Sequence, residues 1–463
     1  MLCLIAMLGG LLLMMGRQTR SESLFYYFRL EDHIPENHLL RLIDHHVSFD
    51  FVRDKLRESY SETGRPSIDP EVLLRILLIG YLYGITSERK LVEELRMHLA
   101  WRWFTGLGFD EEIPHHSTFS KNRHGRFQES NLFQRLFEEI VDRCMKAGLV
   151  EGEHLSVDGS FIQADASHSS RIAREQLAEA AQVKRTVREY LADLEQENAI
   201  DEPAQQQERV STTDPDATYL TKGNRAAELG YFDNYLIDNA SCVIVGVQAT
   251  AARLSQESAA ARAMLTRFSE QRGRPPQTLA ADTTYGNGEL LHWLEQRGVT
   301  AQIPVKECPL GKSDLYSVER FTYRPENNSY VCPEGKQLTY VGVNPRNRTH
   351  VYAATPKRCR DCSQKGQCTR GRYRMLAIHI HEGARQRARD RAQTPAFAQC
   401  QRARRKVEAL FAELKNQIGL RRVRLRRLKF VREQFFLAAS AQNLKRLVRF
   451  LARIPKPPLP VTA

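Results

Sequence analysis

The spacing of apolar residues changes from helical to strand-like after Gly152, and this change constrains the fold more than any other feature of the sequence. Beyond it the sequence predicts, in order, a strand at 154–162, a charged helical stretch at 171–197, a hairpin at 230–250 with its turn at 239–241, a helix at 255–272 and an apolar strand at 278–282. Strands that alternate with helices are typical of layered folds, in which helices cover a sheet. We therefore predict an α/β (α+β) core.

The segment before this change, residues 24–148, is predicted to be helical. Asp69 and Pro70 mark the clearest helix start, because Asp is a good N-cap and proline suits the first helical position. An apolar run follows at 72–83, and Ser87 starts a second helix after a short turn. Two helices joined in this way allow a helix-turn-helix that contacts DNA, but such turns are equally common in helical domains that do not bind DNA.

The composition after the core strands predicts further boundaries. Residues 304–396 are rich in turns, contain short β-prone pieces and hold four of the nine cysteines, which indicates an insertion. A chain of 463 residues also exceeds what one hydrophobic core usually serves. The predicted regions are an apolar extension (1–23), a helical domain (24–148), the first part of the core (149–303), the insertion (304–396), the C-terminal helices of the core (397–455) and a tail (456–463).

Positive charge is concentrated near the C-terminus. The formal net charge is +13, and residues 401–450 contain fifteen Lys or Arg against three Glu, so the rest of the chain sums to near neutrality. A solvated helix face is one interpretation, but this density favours contact with the phosphates of DNA. The arginines predicted to make that contact are Arg421, Arg422, Arg424, Arg426 and Arg427.

Residues 1–15 are apolar, yet they lack a positively charged start and are shorter than the roughly 20 residues of a membrane-spanning helix. We therefore predict no membrane association. Nine cysteines are an odd number, and a disulfide framework is uncommon in so large a chain. The sequence thus predicts a cytoplasmic protein that associates with the nucleoid.

Three acidic residues are candidates for catalysis. Asp158 and Asp282 each end a run of strand-forming residues, 154–158 and 278–282, where ligands collect in layered folds, although an aspartate there is also an ordinary turn former. In the predicted helix at 395–418, Glu408 lies beside the apolar face, on a charged stripe that also holds Arg404 and Lys415. Glu408 can therefore point into a cleft, and the alternative is a plain ion pair with Arg404 within the helix.

The spacing Arg404-x3-Glu408-x6-Lys415 resembles the Arg-Glu-Lys part of the Y-(2)-R-(3)-E-(6)-K signature of one large group of insertion-sequence DDE transposases. Gln401 stands at the tyrosine position, which departs from that signature. Further segments similar to the family are those around its first two acids (156–160 and 281–286), its N-terminal domain (64–126) and its C-terminal end (443–446).

This resemblance implies an RNase H-like core in which Asp158, Asp282 and Glu408 converge on Mg²⁺ or Mn²⁺. Two such cations about 4 Å apart can activate the attacking oxygen and stabilise the leaving 3′ oxygen of a phosphoryl displacement. Asp158 would bridge the two cations, Asp282 would hold one and Glu408 the other, while Arg404 and Lys415 neutralise phosphate. The implied partners are the transposon ends and the target DNA, with a homodimer in the synaptic complex.

Four cysteines of the predicted insertion form two groups, Cys332 and Cys359-x2-Cys362-x5-Cys368. Four thiolates could close a tetrahedral structural zinc site that organises the insertion. Unligated thiols and a redox role are the alternatives. For the whole chain, the alternatives to a transposase are a domesticated RNase H-like nuclease and a non-enzymatic, zinc-dependent DNA-binding regulator.

Overall fold

The computed structural model describes residues 27–60, 67–124, 127, 130–198, 208–220, 226–251, 256–307 and 315–453. The predicted extension, the tail and the segment Gly64-Arg65-Pro66 of the resemblance lie outside these ranges. The α-helices of the described residues are α1 (Leu30–His33), α2 (Leu39–His46), α3 (Phe51–Leu56), α4 (Pro70–Leu82), α5 (Glu88–Met97), α6 (Leu99–Thr105), α7 (His116–His124), α8 (Leu132–Lys146), α9 (Leu177–Val183), α10 (Arg185–Asn198), α11 (Gln256–Arg272), α12 (Gly288–Gln296), α13 (Pro356–Arg360), α14 (Lys365–Cys368), α15 (Glu382–Ala392), α16 (Pro395–Asn416) and α17 (Leu428–Leu451).

Thirteen strands accompany the helices in the described ranges. They are β1 (His154–Gln163), β2 (Arg171–Ala173), β3 (Arg209–Ser211), β4 (Thr218–Leu220), β5 (Glu228–Asp238), β6 (Ile244–Ala251), β7 (Thr278–Ala280), β8 (Thr300–Gln302), β9 (Thr322–Arg324), β10 (Ser329–Val331), β11 (Gln337–Asn344), β12 (Thr349–Ala353) and β13 (Met375–His379).

The central sheet has the order β6-β5-β1-β7-β8, with β4 paired to the start of β5. Strand β5 runs antiparallel to both β1 and β6, whereas β7 and β8 continue the sheet parallel to β1. The predicted hairpin is β5-β6, and Asp238 closes its turn by accepting hydrogen bonds from the amide and the hydroxyl of Ser241 (2.9 and 2.7 Å). The predicted RNase H-like α/β core is confirmed.

Helices cover both faces of this sheet. Neighbouring residues of a strand point to opposite faces of the sheet. The side chains of Tyr235 and Leu236 in β5 therefore lie on different faces. The Tyr235 ring stacks on Phe411 of α16, with ring centroids 5.6 Å apart. Leu236 lies on the other side beside Gly246, which faces Met264 of α11. Helix α16 therefore covers the face that carries Tyr235, and α11 covers the opposite one.

The N-terminal helices share a hydrophobic core with the sheet. Helix α4 is buried along most of its length and is capped as predicted, with Asp69 accepting from the amide of Glu71 (2.9 Å). Helix α17 packs on α8 through Phe436 and Phe137, whose rings are 5.5 Å apart. The turn after α4 contacts the end of α16, where a Cβ on Gly84 would overlap the carbonyl of Gln417. This turn of the predicted helix-turn-helix therefore packs against another segment of the chain, although Thr86 and Ser87 are exposed.

Two smaller units project from the core. Strands β9 to β13 form a separate sheet in the predicted insertion, with its own small apolar cluster around Leu338, Tyr352 and Leu376. Strands β2 and β3 and helices α9 and α10 form a second unit around Val187 and Tyr190. No helix of the described residues is long and apolar enough to span a membrane.

Candidate active site

Asp158 on β1 and Asp282 just after β7 lie at the same level of two neighbouring strands. The parallel pairing of β1 with β7 places Ser156 opposite Ala280. Asp158 comes two residues after Ser156, and Asp282 comes two residues after Ala280. The position of Asp158 differs from the prediction, because β1 does not end there but continues to Gln163. The first acid is thus in the middle of a long strand, at the point where its shorter neighbour β7 ends.

Two local features fix the loop that carries Asp282. Its carboxylate caps a 3₁₀ turn by accepting from the amide of Thr284 (2.8 Å). Gly286 lies against the chain after β8, where a Cβ would overlap the carbonyl of Pro304, and its own carbonyl accepts from the amide of Lys306 (2.8 Å). The loop after the second acid is therefore tied to β8 by a contact that requires glycine.

Helix α16 contacts Asp158 and the residue that precedes Asp282. Arg404 Nη1 donates to Asp158 Oδ2 at 3.2 Å, and both side chains are mostly buried (16% and 19% exposed). Gln401 donates to the carbonyls of Ala281 and Gln302 (3.2 and 2.7 Å), and its side-chain oxygen accepts from Arg404 Nε (3.2 Å). The residue at the signature tyrosine position thus anchors the helix to the ends of β7 and β8 and orients Arg404.

Glu408 is exposed on α16, one helical turn after Arg404 and on the same stripe. Lys415 is partly buried at the far end of that stripe, and its charge acts on Asp233 of β5. Burial raises the pKa of Asp233 well above its ordinary value, against the opposing effects of Tyr235 and Lys415. Asp233 escaped sequence analysis because only the pairing of β5 with β1 places it on the face of Asp158.

Tyr285 is a second buried residue of the site that sequence analysis missed. A Cβ added to Gly159 would lie 3.6 Å from the Tyr285 hydroxyl and 2.8 Å from the side-chain oxygen of Asn234. Burial raises the Tyr285 pKa well above its ordinary value, with Asp158 and Asp282 acting in the same direction. The glycine after the first acid therefore lets the loop of the second acid pack beneath it, and the Asp-Gly dipeptide is the only sequence signal for this contact.

The donor types of the site suit Mg²⁺, which prefers carboxylate oxygens. Across the ranges that the structure describes, however, no group of three or more His, Cys, Asp and Glu side chains is arranged so that it could hold a metal ion. The Arg404 guanidinium lies against Asp158 instead. Asp158 and Asp282 are thus adjacent, and the third carboxylate is one helical turn beyond the arginine that contacts the first.

The arginine segment, residues 421–427, is an extended loop before α17, and the structure separates its members. Arg421, Arg422 and Arg426 are exposed. The last two are ion-paired with Asp165, at 3.8 and 2.9 Å. Arg424 is partly buried, with its guanidinium 4.6 Å from the centre of the Tyr81 ring.

Arg427 differs from the other members because its side chain is only 4% exposed. It forms ion pairs with Asp216 (2.8 Å) and Asp193 (2.7 Å). The prediction that Arg427 contacts DNA is therefore wrong, since its guanidinium is used inside the molecule.

Three of the four cysteines of the insertion, Cys332, Cys359 and Cys368, pack against one small apolar cluster. The turn after Cys332 is ordered, because Lys336 donates its amide to Cys332 Sγ (3.3 Å) and Gly335 adopts a positive φ of 72°. Burial raises the pKa of the Cys368 thiol, and the other three cysteines act in the same direction. The four thiols are thus neighbours, although they do not form a ready ligand group in the described residues.

Two family models match the chain. The Transposase domain (DUF772) matches residues 28–125, and the Transposase DDE domain matches residues 331–448, a range that includes Glu408 but not Asp158 or Asp282. No curated protein matches. Among solved structures, a piggyBac transposase synaptic complex with hairpin DNA matches at 9% identity with a TM-score of 0.34, covering 91% of this chain and 82% of that chain. Both matches are to transposase domains, so the chain is similar to DDE transposases over the residues that these two domains cover.

Proposed function

We propose that the chain cleaves DNA at transposon ends and joins the freed ends to target DNA, with Asp158, Asp282 and Glu408 as its catalytic carboxylates. The observation that carries this proposal is the register of β1 and β7, which sets Asp158 beside Asp282 at the end of the sheet. Helix α16, which bears Glu408, is hydrogen-bonded to the same end of the sheet through Gln401.

The three carboxylates would hold Mg²⁺ or Mn²⁺, which supplies activation of the attacking oxygen and stabilisation of the leaving 3′ oxygen. Arg404 neutralises Asp158 in the structure as described, so it keeps two neighbouring acids from repelling each other. When Asp158 is engaged elsewhere, the Arg404 guanidinium is placed to contact a DNA phosphate, because its fork of donors matches phosphate oxygens. Lys415 provides a second positive charge on the same helix.

DNA would reach this site along the exposed part of the arginine segment. The segment runs beside the end of β1, where Gln163 bridges to Arg422. Arg421, Arg422 and Arg426 offer exposed guanidinium groups there, whereas Arg427 has no part in this path. Transposition joins two ends, so we further propose a homodimer in the synaptic complex, within a nucleoid-associated cytoplasmic setting.

For the insertion, we propose structural zinc held by Cys332, Cys359, Cys362 and Cys368. The ordered turn at Cys332 and the shared apolar cluster support this proposal. Zinc would compensate for the small core of the insertion by tying its turns together. Metal analysis of protein purified without chelators tests it: one zinc per chain is expected, and a C332S/C368S variant should lose the metal. Absence of zinc from the unsubstituted protein would refute the proposal.

The catalytic assignment is tested by Asp158→Asn and Asp282→Asn. Both variants should bind DNA as the unsubstituted chain does, because the change removes a carboxylate from the site but leaves the exposed arginines untouched. Both should lose Mg²⁺-dependent cleavage and strand transfer. Asp142→Asn, on the exposed surface of α8, is the matched control and should cleave normally. Retained cleavage by Asp158→Asn would remove that residue from the site.

A further inference from the structure

The insertion is rich in positive charge, although the net charge of the whole chain does not reveal it. Residues 321–380 contain eleven Lys or Arg and three Asp or Glu. The chain outside residues 401–450 sums to near neutrality only because acidic stretches elsewhere offset this excess. The insertion is therefore a second basic region, separate in sequence from the arginine segment.

Most of these cations are at the surface without ion pairs. The exposed ones are Arg324, Arg346, Arg348, Lys357, Arg358, Arg360, Arg370 and Arg372. Within the described ranges, Arg348 alone among them is ion-paired with a carboxylate, that of Glu289. Like charges held close together repel one another, so this surface is better suited to a polyanionic partner than to water alone.

Three basic residues border an open groove of about 420 Å³. Lys336, Lys357 and Arg358 line it together with Gln337 and one acidic residue, Asp361. The guanidinium of Arg358 is held in place because its Nη1 donates to the carbonyl of Gln337 (2.8 Å). The backbone of Lys336 is fixed by the turn that also bonds Cys332. The groove is thus an ordered basic surface.

The insertion is attached to the catalytic core close to the second acid. Arg348 is ion-paired with Glu289 in the first turn of α12, the helix that follows the Asp282 loop. Gly288 of the same turn lies against His379 of β13, so closely that a Cβ would clash with the ring. Tyr323 and Tyr340 add partly exposed rings (45% and 40%) to the insertion sheet. DNA bound at the acids can therefore continue onto a surface that is joined to them.

We propose that the groove formed by Lys336, Lys357 and Arg358 binds the phosphate backbone of DNA that flanks the cleavage site. This inference rests on the proposed function. Because the groove would contact phosphates rather than base edges, its contribution should be independent of sequence and strongly dependent on salt. Each phosphate contact releases condensed counterions and adds about 0.9 to the slope of log K against log salt concentration.

The test compares two triple variants of the full chain by fluorescence anisotropy with a random-sequence duplex at several salt concentrations. K336A/K357A/R358A should lose about 2.7 in slope and at least tenfold in affinity at low salt. The control K146A/R185A/R274A removes the same charge from residues that are 78%, 87% and 68% exposed elsewhere. The control should change the slope by less than one. If the first variant is poorly folded by circular dichroism, K357Q/R358Q replaces it, with an expected loss of about 1.8.

A groove variant that binds DNA with the slope and affinity of the control would overturn the proposal. So would a variant that binds DNA normally but no longer binds phosphatidylserine vesicles, since the groove would then be a lipid surface. The outcome is separable from that of the proposed function. Cleavage by Asp158→Asn would refute the catalytic assignment whatever the salt slopes show, whereas an unchanged slope would refute the groove and leave the assignment intact.

Discussion

The two basic regions of the chain are both rich in Lys and Arg, but they differ in how many of these cations are ion-paired within the molecule. In the arginine segment, Arg427 is buried among carboxylates and two of the exposed members share Asp165. In the insertion, by contrast, Arg348 is the one ion-paired residue among the exposed cations of the described ranges. Charge density therefore predicts a polyanion surface only after the cations that are paired inside the molecule have been subtracted.

Arg427 explains why part of the arginine segment is structural. Its backbone has a positive φ of 75°, which side chains other than glycine rarely adopt. Its amide donates to Asp214 (2.9 Å), while its guanidinium reaches Asp216 on the same loop and Asp193 on α10. One side chain thus joins the α9-α10 unit to the start of α17.

The largest expected effect that sharpens this comparison is on stability. Arg427→Ala removes a buried cation and leaves the mostly buried Asp216 without its ion-pair partner, a kind of change that typically costs about 3–5 kcal/mol. Chemical denaturation should show this loss in the free energy of unfolding, with Arg421→Ala as the exposed control within about 0.5 kcal/mol of the unsubstituted protein. Equal stability of the two variants would show that Arg427 is as dispensable as a surface arginine.

A second effect concerns the pH dependence of the same network. Burial raises the pKa of Asp214 to about 6 from an ordinary 3.8. The folded state then holds its proton more tightly, so this contribution to stability is complete below pH 3.8 and is lost as pH rises through about 6. The loss is about 1.4 kcal/mol per unit of pKa shift. Asp214→Asn should flatten this part of the dependence of stability on pH, measured by thermal denaturation. An unchanged dependence would contradict a raised pKa of Asp214 as its cause.

A smaller effect should appear in DNA affinity. Asp165 neutralises Arg422 and Arg426 in the exposed part of the arginine segment. Asp165→Asn should therefore strengthen DNA binding severalfold at low salt, because two guanidinium groups become available to phosphate. The gain should fade as salt screens the contact. Unchanged or weaker binding would mean that DNA does not follow this segment.

The smallest expected effect is that of a single exposed arginine. Arg421 is exposed and hydrogen-bonded only to Asn416 among the contacts of its side chain in the described residues. Arg421→Ala should lower the slope of log K against log salt by about 0.9. An equal decrease in this slope for Arg360→Ala, in the insertion, would show that the two regions contribute comparable phosphate contacts. A decrease for only one of the two variants would identify the region that DNA mainly follows.

Sequence periodicity was sufficient for the order of elements in the core. The hairpin β5-β6, helix α11 and strand β7 were predicted because their signals are local: alternating apolar residues, turn formers and caps. The common core of the N-terminal helices and the sheet was not predictable in this way. It depends on contacts between residues far apart in the chain, such as Phe137 with Phe436.

The candidate site was predicted in its members and not in its geometry. Register alone brings Asp158 level with Asp282, and the register between β1 and β7 cannot be obtained from either segment by itself. The role of Gln401 was hidden for the same reason, since its partners are carbonyls of two separate strands. Arg427 was misassigned because its dense arginine surroundings suggested a surface, whereas its carboxylate partners lie far away in the sequence.

The central claim is that Glu408 completes the site of Asp158 and Asp282. Single-turnover cleavage of a transposon-end duplex in Mg²⁺ tests it through two variants of the same helix, Glu408→Gln and Glu413→Gln. Glu413 is engaged with Arg446 (2.9 Å) and Gln442 (2.8 Å) of α17 and serves as the matched control. We expect Glu408→Gln to cleave on the order of a thousandfold more slowly, with Glu413→Gln close to the unsubstituted rate. Equal rates for the two variants would contradict the account.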